Sequence, residues 1–195
     1  MSTLWRWAGA CSIGTSHVKA GLDCQDRAAC RTIETISGTV IVAVVSDGAG
    51  SAQKAAVGAG IVCTNLHRRI AAYFQGGGAL VNINAECAAD WMDSIRDKIG
   101  VAAKAAELRP RDYAATLVAL IAGNDRAVVI HIGDGAAAVR DRITLEWSVP
   151  SWPFHGEYAS MTRFVIDVEV GNCPSTCEPI SVASRCARER TTISP

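Results

Sequence analysis

Two acidic turns follow apolar segments of this sequence, and they contain the residues with the clearest potential for chemistry. Asp47 and Gly48 come just after the apolar run 40–45, and Gly133-Asp134-Gly135 follows the largely apolar run 127–132. Each turn places a carboxylate beside glycine, whose missing side chain leaves the main-chain carbonyl accessible. Hard divalent cations bind carboxylate, carbonyl and water oxygens, so the turns favour metal-assisted chemistry. Asp-Gly is also a common turn sequence, which leaves a structural role open for each.

Other polar residues near predicted strands have less specific patterns. Asp26 precedes a predicted strand, a place where a single acid is more often a turn or surface residue. Thr116 is interpreted as part of a buried strand, and His131, which alternates with apolar neighbours, as a structural histidine. The segment 47–51 has the strand-glycine-helix order of a nucleotide loop. It lacks both the dinucleotide fingerprint and the phosphate-loop lysine, so nucleotide binding is the weakest alternative.

The elements that must position these residues are predicted by hydrophobic period. Short apolar or alternating segments predict strands at 5–13, 27–36, 39–46, 114–122, 127–132, 136–139 and 143–147. Two longer segments have apolar residues at helical spacing, which predicts helices from Ser51 to about Phe74 and from Asn84 to about Leu108. Strands, two long helices and further strands, in that order, fit an α+β domain with antiparallel sheets better than a doubly wound parallel sheet.

Composition limits the classes of protein to which the chain can belong. Its 195 residues suffice for one domain with a hydrophobic core, and 49% of them are hydrophobic. Nineteen basic and nineteen acidic residues cancel, so nothing points to nucleic acid or an anionic membrane as partner. The first residues lack a secretion signal, and no apolar run approaches the roughly 18 residues that span a bilayer. We therefore expect a cytoplasmic protein.

The C-terminal part of the sequence differs in character from the rest. From Val168 onward, proline, serine and arginine dominate, and apolar residues are too sparse to form a core. We therefore predict one domain over residues 1–167, followed by a disordered or aberrant tail over residues 168–195.

Four segments, taken in their order along the chain, resemble the metal-dependent type 2C serine/threonine protein phosphatases, especially the compact bacterial members. These segments are Gln25-Asp26, Ser46–Gly50, Tyr113–Val118 and His131–Gly135. The resemblance extends from about Trp5 to Asp167. It implies an antiparallel β-sandwich of two sheets flanked by helix pairs, in four layers αββα.

The resemblance also implies a chemistry and its residues. Asp47 matches an aspartate that bridges two Mn²⁺ or Mg²⁺ ions, and Gly48 matches a residue that contributes its main-chain carbonyl. Asp26 matches an acid that acts near the metals, and Asp134 an aspartate of a further, weaker metal. In the family, the two ions activate water for hydrolysis of phosphoserine and phosphothreonine. The implied partner is a phosphoprotein substrate or a cognate kinase, in signalling.

The sequence departs from the family pattern in two places. Gly21 stands where a phosphate-contacting arginine is common, which leaves His17 or Lys19 as candidate replacements, and we assign substrate phosphate to His17. The family has further metal-binding aspartates in its late strands, whereas no aspartate follows Asp167 here. We therefore expect a C-terminally truncated chain with missing late strands and an incomplete second metal site. The alternative hypothesis is a catalytically silent phosphatase-like domain that acts as a binding module.

Overall fold

The computed structural model describes residues 5–141, 144–151, 162–167 and 178–180. Antiparallel strands and α-helices both occur in these ranges, which confirms the predicted α+β class. The strands are β1 (Arg27–Thr35), β2 (Gly38–Ser46), β3 (Leu117–Ala122), β4 (Ala127–Ile132), β5 (Ala137–Arg140), β6 (Trp147–Ser151) and β7 (Glu178–Ile180). The α-helices are α1 (Thr15–Ala20), α2 (Ala55–Gln75) and α3 (Ala85–Ala105).

Five of the strands form one antiparallel sheet in the order β1-β2-β3-β4-β7. The central strands are rich in β-branched residues, which suit a pleated and buried surface. Val45 pairs with Val118, and Leu117 pairs with Ile132. Because the strands alternate in direction, the ends of β2 and β4 and the starts of β1 and β3 all lie at the same end of the sheet.

Helices α2 and α3 cover one face of this sheet and bury most of the hydrophobic core. Their fully buried apolar side chains recur at helical spacing and include Val62, Leu66, Ile70, Met92, Ile95 and Ile99. Alternate residues of the strands face them, among them Val42, Val44, Ala119, Ile121, Val128 and Ile130. The helix pair therefore holds the sheet from one side and leaves its strand ends accessible.

Strands β5 and β6 form a separate two-stranded sheet. It contacts β4 through His131, whose ring nitrogen Nδ1 lies 2.9 Å from the Ser151 hydroxyl. His131 alternates with the core residues Ile130 and Ile132, so this contact is on the face opposite the helices. In the described ranges, the implied αββα order is therefore seen as three layers: a helix pair, the large sheet and the small sheet.

The start of α3 was predicted more accurately than the start of α2. Helix α3 begins next to Asn84, close to the predicted start, and the Asn84 Oδ1 caps it by accepting a hydrogen bond of 3.0 Å from the Cys87 amide. Helix α2 begins at Ala55 rather than at the predicted Ser51. The Lys54 amide instead donates a 2.7 Å hydrogen bond to the Asp112 carbonyl. The residues before Ala55 are thus held by a tertiary contact, which a local capping pattern could not predict.

The N-terminal prediction was wrong in two respects. Residues 5–13 were predicted as a strand but pair with none of the described strands; the Trp5 indole Nε1 donates to the Thr39 carbonyl at 3.1 Å instead. Residues 14–21, for which the sequence predicts a turn, contain α1, which ends at Gly21 with a left-handed φ of 66°. Glycine favours this conformation because it has no Cβ.

Part of the predicted tail is ordered as a strand. β7 pairs with β4, with Glu178 opposite Val129 and Ile180 opposite Ala127, although no strand was predicted there. Residues 168–177 and 181–195 lie outside the described residues, so the division at residue 167 stays a prediction. None of the helices in the described part of the chain is long and apolar enough to cross a membrane.

Candidate metal centre

The hairpin of β1 and β2 brings two of the predicted acids together. Arg27, the first residue of β1, pairs with Ser46, the last residue of β2. Asp26 and Asp47 are the next residues outward, so the antiparallel register places them opposite each other. The two carboxyl groups lie close enough for Asp26 to raise the pKa of Asp47 through hydrogen bonding and through its charge. Two acids from distant positions in the sequence thus become a carboxyl pair.

Partial burial, together with the acids around Asp47, raises the pKa of its carboxyl group from 3.8 to about 6. The residue is exposed, yet the surrounding protein partly desolvates the carboxyl group, and this desolvation is the largest cause. The hydrogen bond to Asp26 and the negative charges of Asp26 and Asp134 raise the pKa further, whereas His17 lowers it. Below about pH 6 Asp47 therefore holds a proton that a cation could replace.

Asp134 lies at the same end of the sheet because it follows β4. It lines a cleft of about 370 Å³ together with Asp26 and Asp47. The walls of this cleft also include Thr116 and Gly135. The structure thus places all three predicted acids on one cleft, in the part of the chain that it describes.

Gly48 is fixed by close packing. A Cβ atom added to it would lie 2.8 Å from the carbonyl oxygens of Ala55 and Gln25, which no real side chain could tolerate. Among the described residues, none donates a hydrogen bond to the Gly48 carbonyl oxygen. Gly48 itself is buried and is not among the residues that line the cleft, so the structure places it directly behind Asp47 in the chain.

The two histidines near these acids differ in their surroundings. His17, on α1, is half-buried and close enough to Asp47 for its charge to favour the ionised carboxylate. His131 is buried, and desolvation lowers the pKa of its ring, although the Gly133 and Gly135 backbones and Asp134 oppose this shift. The structure therefore places His17 near the predicted site and His131 between the two sheets.

Thr116 is the residue at the site whose role the sequence did not predict. Its hydroxyl accepts a 3.0 Å hydrogen bond from the Asp47 amide, and its own amide donates to the Asp47 carbonyl at 2.8 Å. The motif that contains Thr116 was visible in the sequence, but nothing there indicated a partner 69 positions away.

The residues at this cleft fit a divalent cation, in the sense that three carboxylates line it and that none of the three forms an ion pair with a described basic residue. No three or more His, Cys, Asp or Glu side chains within the described ranges are grouped closely enough to hold a metal by themselves. Mg²⁺, however, is commonly held by one or two carboxylates with several waters and substrate phosphate. Asp26 and Asp47 provide two such carboxylates on the cleft, and the Gly48 carbonyl adjoins Asp47 in the chain.

The chain belongs to the protein phosphatase 2C family, whose model matches residues 13–178. Serine/threonine-protein phosphatase 3 of Escherichia coli (strain K12) is 34% identical over 164 residues, which are 84% of this chain and 63% of that protein. The chain thus spans just under two thirds of this curated relative. The crystal structure of serine/threonine phosphatase Stp1 from Staphylococcus aureus matches with a TM-score of 0.50 and 18% identity, covering 77% of this chain and 54% of that chain. This likeness supports the fold.

Proposed function

We propose that this protein hydrolyses phosphoserine and phosphothreonine in proteins with the help of Mn²⁺ or Mg²⁺. The observation that carries the proposal is the position of Asp26 opposite Asp47 at one end of the sheet, where both line one cleft with Asp134, in a chain of the protein phosphatase 2C family. The E. coli relative is named a serine/threonine-protein phosphatase, which supports the same substrate class. A phosphoprotein substrate, a cognate kinase and a cytoplasmic location follow as predictions.

The roles of the residues follow from their chemistry. Asp47, the Gly48 carbonyl and Asp26 would hold a cation, and Asp134 would hold a further one from its own turn. When bound, such ions neutralise charge on a phosphoryl group and lower the pKa of water. Asp47 gives up its proton near pH 6, so that its carboxylate is ionised at neutral pH.

His17 is proposed to contact the substrate phosphate. It lies near Asp47 and is half-buried, which lets its ring donate a hydrogen bond to a phosphoryl oxygen bound beside the acids. A histidine would then take the place of the arginine that is common in the family. His17→Ala should raise KM for a phosphopeptide more than it lowers kcat, because the interaction exists before the reaction begins.

The test is phosphate release from a phosphothreonine peptide with and without Mn²⁺, together with Mn²⁺ binding by calorimetry. We expect Mn²⁺-dependent release that Asp47→Asn lowers by at least about 10³-fold, equivalent to roughly 4 kcal/mol of transition-state stabilisation. Asp90→Asn is the matched control, because Asp90 is an exposed acid on α3. Equal loss of activity in both variants would contradict the assignment of Asp47.

The alternative function, a silent binding module, predicts a different pattern in the same assay. The chain would bind the phosphopeptide, but release of phosphate would not exceed that of a protein-free control. Residual turnover that is indifferent to Mn²⁺ and to Asp47→Asn would reject the metal-dependent mechanism altogether.

A further inference from the structure

Thr116 fixes the main chain of Asp47 through both of that residue's backbone polar groups. It lies between the 3-10 helix Pro110–Tyr113 and β3, and only 5% of its surface is exposed. Its amide donates to the Asp47 carbonyl at 2.8 Å, and its Oγ1 accepts from the Asp47 amide at 3.0 Å. A third bond of 2.7 Å runs from the Ser46 hydroxyl to the Thr116 carbonyl. The backbone that carries the Asp47 carboxylate therefore cannot rotate without breaking these bonds.

The other branch of the Thr116 side chain contacts the second acidic turn. A Cβ atom added to Gly133 would lie 2.7 Å from both Cβ and Cγ2 of Thr116. Gly133 also has a φ of +118°, which side chains rarely allow. Thr116 thus lies against the start of the turn that carries Asp134. Its methyl group limits how closely that turn can approach β3.

One buried side chain therefore contacts both acidic turns with different atoms. The hydroxyl oxygen serves the Asp47 amide, and the methyl group touches Gly133. Valine would keep the methyl contact but leave the Asp47 amide without its acceptor. Serine would keep the acceptor but lose the methyl contact. Threonine combines both, because it is β-branched with one polar branch.

We propose that Thr116 is a positioning residue, whose hydroxyl sets the orientation of Asp47 and whose methyl group sets the spacing of the Asp134 turn. The inference rests on the proposed function, since it treats both acids as metal ligands. Groups that orient metal ligands through hydrogen bonds typically change metal affinity by about 10–100-fold when removed. The hydroxyl and the methyl group should accordingly have separable effects.

The test compares Thr116→Val and Thr116→Ser in the 195-residue chain. Mn²⁺ affinity is measured by calorimetry, and exchange of the Asp47 amide proton is measured by NMR in metal-free protein. We expect Thr116→Val to weaken Mn²⁺ binding at least tenfold and to accelerate exchange of the Asp47 amide. Thr116→Ser should retain slow exchange and lose no more than about threefold in affinity, because it keeps the acceptor oxygen.

A general loss of stability is controlled with Asn84→Ala. This variant removes the cap of α3, which lies on the helix layer and away from the cleft. It should lower the midpoint of urea unfolding without changing Mn²⁺ affinity. If Thr116→Val and Thr116→Ser weaken Mn²⁺ binding equally, or Asn84→Ala does so as much, the positioning role of the hydroxyl is wrong.

Failure of the proposed function gives a different result. A wild-type chain that binds Mn²⁺ but releases no phosphate, with affinity still lost in Thr116→Val, would contradict the phosphatase activity and support the positioning role. Unchanged Mn²⁺ affinity in Thr116→Val, with Mn²⁺-dependent turnover intact, would contradict the positioning role and support the phosphatase. A wild-type chain that binds no Mn²⁺ would overturn both.

Discussion

The helix-covered face of the large sheet and the cleft at its end are built on the same strands but have opposite character. One is apolar and buried, and the other is acidic. On the helix side, apolar side chains are fully buried, and polar groups find main-chain partners. His67, for example, has one ring nitrogen 3.0 Å from the Cys63 carbonyl and the other 3.1 Å from the Val42 carbonyl. At the cleft, by contrast, Asp26 and Asp47 face each other, and burial together with the neighbouring charges raises the pKa of Asp47 to about 6.

This difference separates what stabilises the protein from what the protein is built to bind. Burial of apolar area drives folding on the helix side. The carboxyl pair opposes folding at neutral pH, because like charges at short distance repel each other. A cation would relieve this repulsion only in the folded protein, so binding and stability are linked at the cleft and independent on the helix side.

The largest effect on stability is expected from the helix side. Ile95 is completely buried in α3, so Ile95→Ala should lower the free energy of unfolding by about 2–5 kcal/mol through lost burial and a cavity. Urea unfolding measures this loss. Mn²⁺ affinity of the folded fraction should not change. A parallel loss of Mn²⁺ affinity would show that the two regions are coupled.

Two glycines of α2 allow a tightly packed position and an open position to be compared within one helix. A Cβ atom on Gly58 would lie 2.1 Å from the Tyr113 carbonyl oxygen, whereas one on Gly60 would meet nothing within 4 Å. Gly58→Ala should therefore destabilise the protein by roughly 1–3 kcal/mol. Gly60→Ala should stabilise it by up to about 1 kcal/mol, because alanine favours the helix. Thermal unfolding of the pair checks the contrast; the same sign for both variants would contradict the packing.

A smaller effect is expected at the start of α3. Asn84→Ala removes the side-chain acceptor of the Cys87 amide and should cost about 1 kcal/mol of stability. Asn84→Asp, which keeps an acceptor oxygen, is the matched control and should retain most of the stability. If both variants unfold at the same urea concentration, the cap contributes through something other than this hydrogen bond.

The smallest effect on stability is expected from the titration of Asp47, because water screens an exposed carboxyl group. The folded protein holds the Asp47 proton up to about pH 6, whereas the unfolded chain loses it near 3.8. The folded state therefore binds more protons than the unfolded state between these pH values. As a result, the free energy of unfolding falls as the pH rises from about 4 to 6. In chelator, Asp47→Asn should remove that decline and stabilise the metal-free protein at pH 7. Parallel pH profiles of the two proteins would contradict the raised pKa.

Local patterns in the sequence were enough to predict most elements. The apolar, β-branched run of β2 and the spacing of apolar residues in α3 are encoded within a few neighbouring positions. The start of α3 near Asn84 is encoded in the same way. Similarly, the acids Asp47 and Asp134 were identifiable because each lies directly after an apolar strand. Such patterns can be recognised without tertiary structure because all of their members are close together in the chain.

Contacts between distant segments determined the features that local patterns did not predict. The start of α2 moved to Ala55 because the preceding residues bond to Asp112, and the pairing of β7 with β4 joins segments that are far apart in the chain. Asp26 became the partner of Asp47 only through the register of a hairpin. The sequence by itself determined which acids stand at strand ends, since that is a local pattern. Only the tertiary structure decided that they share one cleft and that Thr116 orients Asp47, since both depend on contacts between distant segments.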